Sequence, residues 1–212
     1  EKVVKWSEEL AKKKVDEIKY FDKKKDVKVI KPFADGYSLV ELVSDGAFEE
    51  EGDAMGHCVS CMDAGSKYKK IYSLRDSKGQ PHATIEVLSD LYEYAKELIQ
   101  ARIERYEIDG YDRDPEDVEE EVYSELFSEN DIDPYEYEES PSDQLVIQIK
   151  GKANNPVPER YAKYIREFFR SSKGQQFSII HDGENIGLQK IPDWQWGDDP
   201  NRSSLTRYSF PP

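Results

Sequence analysis

Apolar residues at Val3, Val4, Trp6, Leu10, Val15, Ile18 and Phe21 recur at close to helical spacing beneath a lysine-rich outer face, so the chain opens on a predicted amphipathic helix. Strand-like stretches follow at residues 27–30 and 37–43, on either side of Pro32 and an Asp35-Gly36 turn. Ala47, Phe48, Met55 and Val59 suggest a short helix ending near Cys58, weakened by Gly52 and Gly56. The strongest hairpin signal joins residues 70–76 and 82–88 through Asp76-Ser77-Lys78-Gly79, whose small polar residues and glycine suit turn dihedrals. Alternation divides it into an apolar face of Tyr72, Leu74, Ala83, Ile85 and Val87 and a polar face of Ser73, Arg75, His82, Thr84 and Glu86.

Helical spacing returns after Ser89, a predicted N-cap, with Leu91, Tyr94, Ala95, Leu98, Ile99 and Ile103. Asp114 before Pro115 opens another helix with the narrow stripe Val118, Val122 and Leu126. Residues 144–150 alternate as a third strand, with Gln148 and Lys150 on its polar side, and Pro158 starts a helix reaching about Arg170. Residues 177–180 and 186–189 around Asp182-Gly183 read as a second hairpin. The stretch from Pro192, with Trp194 and Trp196, is expected to lie extended on the body or on a partner, because Trp is costly to leave in water.

These elements predict an α+β fold: a mainly antiparallel β-sheet with helices packed on one face and an acidic helical insertion. Residues 1–36 form the leading helix and a lead-in strand, 37–191 the α+β body with its insertion at 101–143, and 192–212 the tail.

Charge sharpens this division. The chain of 212 residues carries a formal net charge of −15. Residues 101–143 hold 18 Asp and Glu against three Arg, a balance equal to that whole charge, and the remainder is neutral with 27 residues of each sign. A phosphate backbone is normally held by surplus Lys and Arg, so nucleic-acid contact is left to the body and denied to the acidic segment. No apolar run approaches the length of a membrane span, and the charged start resembles neither a secretory nor a transit peptide. Two cysteines cannot staple a disulfide scaffold, which points to a reducing, cytoplasmic setting.

Four segments in order carry a family resemblance. Glu50-Glu51-Gly52-Asp53-Ala54-Met55-Gly56-His57-Cys58-Val59, Ile71-Tyr72-Ser73-Leu74-Arg75-Asp76, Ala83-Thr84-Ile85-Glu86-Val87 and Gln148-Ile149-Lys150-Gly151-Lys152-Ala153-Asn154 together resemble the signature of PcfJ-like proteins of conjugative plasmids, phages and related mobile elements. The resemblance spans about residues 37–154 and implies a shared fold and a bacterial or phage-infected host cytoplasm. It implies little about chemistry. Lys150 stands where the family tends to have Arg, and Ser60-Cys61 where it tends to have small residues before Tyr.

Several groups are candidates for chemistry. Cys58-Val59-Ser60-Cys61 has the spacing of a zinc knuckle or redox pair, yet His57, His82 and His181 offer no recognisable second ligand pair, and no metal site or cofactor is expected. His57 beside Cys58 admits a thiolate nucleophile, against the plainer reading of a buried, inert thiol. The polar sheet face, Ser73, Arg75, His82, Thr84, Glu86, Gln148 and Lys150 with Asn154 at the strand end, is either a solvated surface or a site. In the second case Arg75 and Lys150 hold an anion and Glu86 acts as base or orients a donor. Arg75 and Glu86 also suit an ordinary cross-strand ion pair.

The acidic segment, with Asp112, Asp114, Glu119, Glu120, Glu121 and Glu125 interleaved with tyrosines, is either a solvated insert or an imitation of nucleic acid that occupies a basic cleft on a protein partner. The expectation is an accessory protein that works mainly by binding such a partner, the alternative an enzyme acting on a nucleotide, nucleic acid or other anion through Arg75 and Glu86, with His57 and Cys58 assisting.

Overall fold

A computed structural model describes residues 26–57, 66–130, 132, 137, 144–192 and 207–211. The leading helix, the Cys58 to Cys61 run and the Trp194 and Trp196 stretch lie outside them. Six strands form one sheet in the order β1 (Val27–Pro32), β2 (Ser38–Leu42), β3 (Lys69–Arg75), β4 (Pro81–Leu88), β5 (Gln144–Lys150) and β6 (Phe177–Ile179). All neighbours are antiparallel except β5 and β6. The expected α+β class is what the chain adopts, and β1 is an integral edge strand of the body.

Helix α1 (Asp45–Met55) follows β2; α2 (Leu91–Asp109) and α3 (Pro115–Glu129) lie between β4 and β5; α4 (Glu159–Phe169) connects β5 to β6. The apolar sheet face, with Leu39, Tyr72, Leu74, Ile85, Val87 and Ile149, is covered by Ala162, Ile165, Phe168 and Phe169 of α4. The sequence pattern predicts helices on that face alone. In the structure α1 covers the opposite face as well, because Val40, Leu42 and Ile71 make an apolar strip there that Ala47 and Phe48 bury.

Local chemistry accounts for the element ends. The Ser44 hydroxyl accepts from the Ala47 amide at 3.2 Å and donates to Asp26 at 2.8 Å, capping α1 and tying it to the start of β1; Gly56, at φ 70°, ends the helix in the left-handed region. Asp76 closes the β3–β4 turn by accepting from the amides of Lys78 and Gln80 at 2.8 and 3.0 Å. Asp90 rather than Ser89 caps α2, and Asp114 caps α3 with Pro115 at its first position.

Two expectations are corrected. Residues 177–189 do not form a hairpin. β6 runs parallel to β5, and Gly183–Ile186 is a 3-10 turn. Asp182 accepts from the Ile149 amide at 3.1 Å while the Asn185 amide group donates to the Ile149 carbonyl at 2.7 Å, so two side chains occupy the ladder positions that a returning strand would need. The strand Gln189–Lys190 (β7) pairs instead with Tyr208–Ser209 (β8), which brings the end of the tail onto the body. The second correction concerns His82. An irregularity in register between Leu74 and Arg75 turns its ring away from Thr84, to stack on Tyr161 of α4 at 4.1 Å with Nε2 3.2 Å from Asp76.

Candidate functional site

The described parts of the four segments 50–59, 71–76, 83–87 and 148–154 meet in space. Thr84 stands opposite both Ser73 and Lys150, and Glu86 opposite both Ile71 and Gln148, so β3, β4 and β5 share one polar face; α1 lies over it. Ser73, Arg75, Thr84 and Glu86 are all buried, which rules out a solvated sheet face. A residue absent from the predicted site holds the centre. Glu51 is fully buried; its carboxylate accepts from Arg75 Nη2 at 3.0 Å and from the Thr84 hydroxyl at 2.7 Å. Arg75 also donates to Glu50 at 3.4 Å and, through Nε, to Ser73 at 3.3 Å.

Burial pushes the Glu51 carboxyl above the ordinary range, against the pull of the Arg75 charge and of hydrogen bonds from Thr84, Ser73 and Arg75. Glu50 is raised by burial too, with Arg75 opposing. A sequence signal for Glu51 existed: it occupies a core position in the stripe Ala47, Phe48, Glu51, Met55. A charged residue at an inward helical position needs a buried partner, and Arg75 is the one that the sheet supplies.

Arg75 and Glu86, expected to face each other, do not pair: Glu86 is held by Lys69 at 2.6 Å. Lys150 is held by Asp182 at 2.9 Å. Each cation nominated for anion binding therefore has an internal carboxylate, which takes the charge that a substrate phosphate would need. His57 sits just past α1, half-buried; burial and the Lys150 charge keep its imidazole below the usual value, and its Nε2 is enclosed without a hydrogen-bond partner among the described residues. Asn154 lies in an exposed 3-10 turn, Lys152–Asn154, where it and Ala153 both adopt left-handed backbone at φ 59° and 54°. Gln148 is half-buried on β5. Among the described residues no group of three or more His, Cys, Asp and Glu is arranged to hold a metal ion.

The acidic insertion is a second locus. α2 and α3 pack together, and Arg102 clasps them by donating to Glu121 at 3.2 Å and Glu125 at 2.8 Å; Arg113 reaches Glu121 at 3.0 Å, and Arg105 lies 3.8 Å from Asp109. All three arginines of the segment are thus engaged within it. Of the six nominated carboxylates, Glu121 and Glu125 are neutralised in this way and Asp114 caps α3. Asp112, Glu119 and Glu120 project into solvent with no ion pair among the described residues, beside the exposed Glu116 and Asp117.

The segment is no detachable appendage. Val118, Val122, Leu126, Phe127, Ile132 and Tyr137 are buried against Leu88, Leu91, Leu145 and Ile180 of the body.

No family model matches the chain, and no curated protein or solved structure matches it either. Among the described residues no helix is long and apolar enough to cross a membrane.

Proposed function

We propose that this chain is a PcfJ-like accessory protein of a phage or plasmid that works by binding a basic protein partner through the outer carboxylates of the α2–α3 hairpin. The observation that carries the reading is the spending of Arg102, Arg105 and Arg113 on internal acids, Arg102 joining the two helices, while Asp112, Glu116, Asp117, Glu119 and Glu120 stay exposed on the outside. Neighbouring carboxylates on one helix are spaced by a turn or less, and such an array attracts lysine- and arginine-rich surfaces and speeds their encounter. It repels phosphate backbones and anionic lipid alike. A synthetic helical Ala/Lys peptide tests the reading: Glu119→Gln with Glu120→Gln weakens its binding, whereas Glu49→Gln with Asp53→Asn, an equal charge change on exposed positions of α1, does not. Equal effects of the two pairs would mean that net charge alone attracts the peptide.

One observation favours the enzymatic alternative. The enclosed Nε2 of His57, without a hydrogen-bond partner among the described residues, lies under the influence of Lys150. That reading requires His57→Ala to abolish a reaction on a nucleotide or other anion without loss of folding; Arg75, locked to Glu51, contributes to stability in either case.

A further inference from the structure

The junction of α2 and α3 carries two large apolar side chains in water. Ile108, in the last turn of α2, is 84% exposed and Tyr111 66% exposed, whereas the other large apolar side chains of α2 and α3 are buried or half-buried. Single exposed apolar residues are common on protein surfaces. These two stand at the same end of the helical pair, three residues apart in the chain, and the exposed acids Glu104, Glu107, Asp109, Asp112 and Asp114 flank them in sequence.

Rigidity comes from the helix end itself. The Gly110 amide donates to the Glu107 carbonyl at 3.2 Å and the Tyr111 amide to the Tyr106 carbonyl at 2.9 Å, with Gly110 at φ 77°; this is the paired closure that only a left-handed residue permits. The Tyr111 ring meets Tyr106 edge-on at 6.4 Å, and the Arg113 guanidinium covers Tyr106 at 5.4 Å while reaching across to Glu121. The contact with Tyr106 explains why position 111 is aromatic, although most of that ring stays in water. Among the described residues Ile108 belongs to no apolar cluster, and as a β-branched residue it has lower helix propensity than the Glu and Arg residues of the same helix.

We infer that this tip is the anchor of the partner interface, with Ile108 and Tyr111 entering an apolar socket on the partner whose rim is lysine- or arginine-rich. The inference rests on the partner-binding reading above and adds to it the chemistry of the partner: a basic amphipathic protein segment. The flanking carboxylates select a cationic rim and exclude nucleic acid and anionic membranes. The apolar pair, already ordered before binding, makes close contact at little conformational cost, as the aromatic and aliphatic anchors of interfaces do.

Two synthetic helical peptides of equal length and charge, one of Leu and Lys and one of Ala and Lys, separate the claims. The chain binds the Leu/Lys peptide about tenfold tighter than the Ala/Lys peptide, the equivalent of 1.4 kcal/mol. Ile108→Ser, which leaves the helix end intact, cuts that preference about threefold, and adding Tyr111→Ser removes it while binding of the Ala/Lys peptide is unchanged. Equal binding of the two peptides, or a Leu/Lys preference that survives both substitutions, would overturn the anchor while leaving the acidic interface standing. Failure to bind either peptide would overturn the partner-binding reading on which the anchor rests.

Discussion

The Tyr137 hydroxyl accepts a hydrogen bond from the Leu91 amide at 2.7 Å, so the far end of the acidic segment caps the first residue of the helix that begins it. Both residues are fully buried. The insertion is therefore built into the body, and its negative charge is carried by a structure that shares a core with the body. Tyr137→Phe leaves a buried donor unsatisfied and is expected to cost about 1–3 kcal/mol, read as a lower urea midpoint with unchanged slope. A midpoint equal to that of the parent chain would show that water replaces the hydroxyl.

The buried pair of Glu51 and Arg75 gives a prediction with two parts. Arg75→Ala strands the Glu51 carboxylate beneath α1 and is expected to destabilise by about 3–5 kcal/mol, whereas Glu51→Leu combined with Arg75→Met replaces the pair by apolar volume and recovers most of that loss. Denaturation of the three proteins measures both. A double variant as unstable as Arg75→Ala would mean that the Ser73 and Thr84 hydroxyls, left without acceptors, dominate the cost.

Raised as it is by burial, the Glu51 carboxyl binds its proton more tightly in the folded chain than in the unfolded one. The stability that this proton confers is complete below the ordinary value of 4.5 and is lost as pH rises through the higher folded value. Glu51→Gln removes that loss. Compared with the parent chain the Gln variant should gain in relative stability as pH rises from the ordinary value of 4.5 through the raised folded value, seen as converging or crossing unfolding midpoints. A constant difference across that range would show that the Arg75 charge fully offsets the burial.

Much of the architecture is legible in the chain. The alternation of Tyr72, Leu74, Ala83, Ile85 and Val87, the Asp76 to Gly79 turn, and the Asp114-Pro115 helix start all report local chemistry, and each element forms where its pattern predicts. What escapes is long-range. The parallel pairing of β5 with β6 depends on Asp182 and Asn185 reaching Ile149, some 35 residues away in the chain, a contact that no local pattern encodes. The turn of His82 toward Tyr161 follows from a register irregularity invisible to strict alternation. Alternation places Ser73, Arg75, Thr84 and Glu86 on one polar face, His82 excepted, but does not reveal its cover, because a glutamate in the stripe of a glycine-interrupted helix looks like a surface residue until its arginine is known.

The exposed carboxylates also set the ionic-strength response. Binding of the Ala/Lys peptide should weaken steeply as salt shortens the Debye length below about 10 Å, while the Leu/Lys preference assigned to Ile108 and Tyr111, being apolar, should persist. Titrations at low and raised salt check this, and a preference that fades together with the charge would place the second peptide's advantage in electrostatics.

The most direct test of the acidic interface is the affinity of the Ala/Lys peptide for the parent chain and for Glu119→Gln with Glu120→Gln, measured by fluorescence anisotropy at low salt. At about 0.2–1 kcal/mol for each exposed ion pair, the double substitution is expected to weaken binding about two- to thirtyfold, with the control pair Glu49→Gln and Asp53→Asn leaving it within error of the parent. Equal affinity for the parent chain and the Glu119 and Glu120 variant would contradict the assignment of the α2–α3 hairpin as the binding surface.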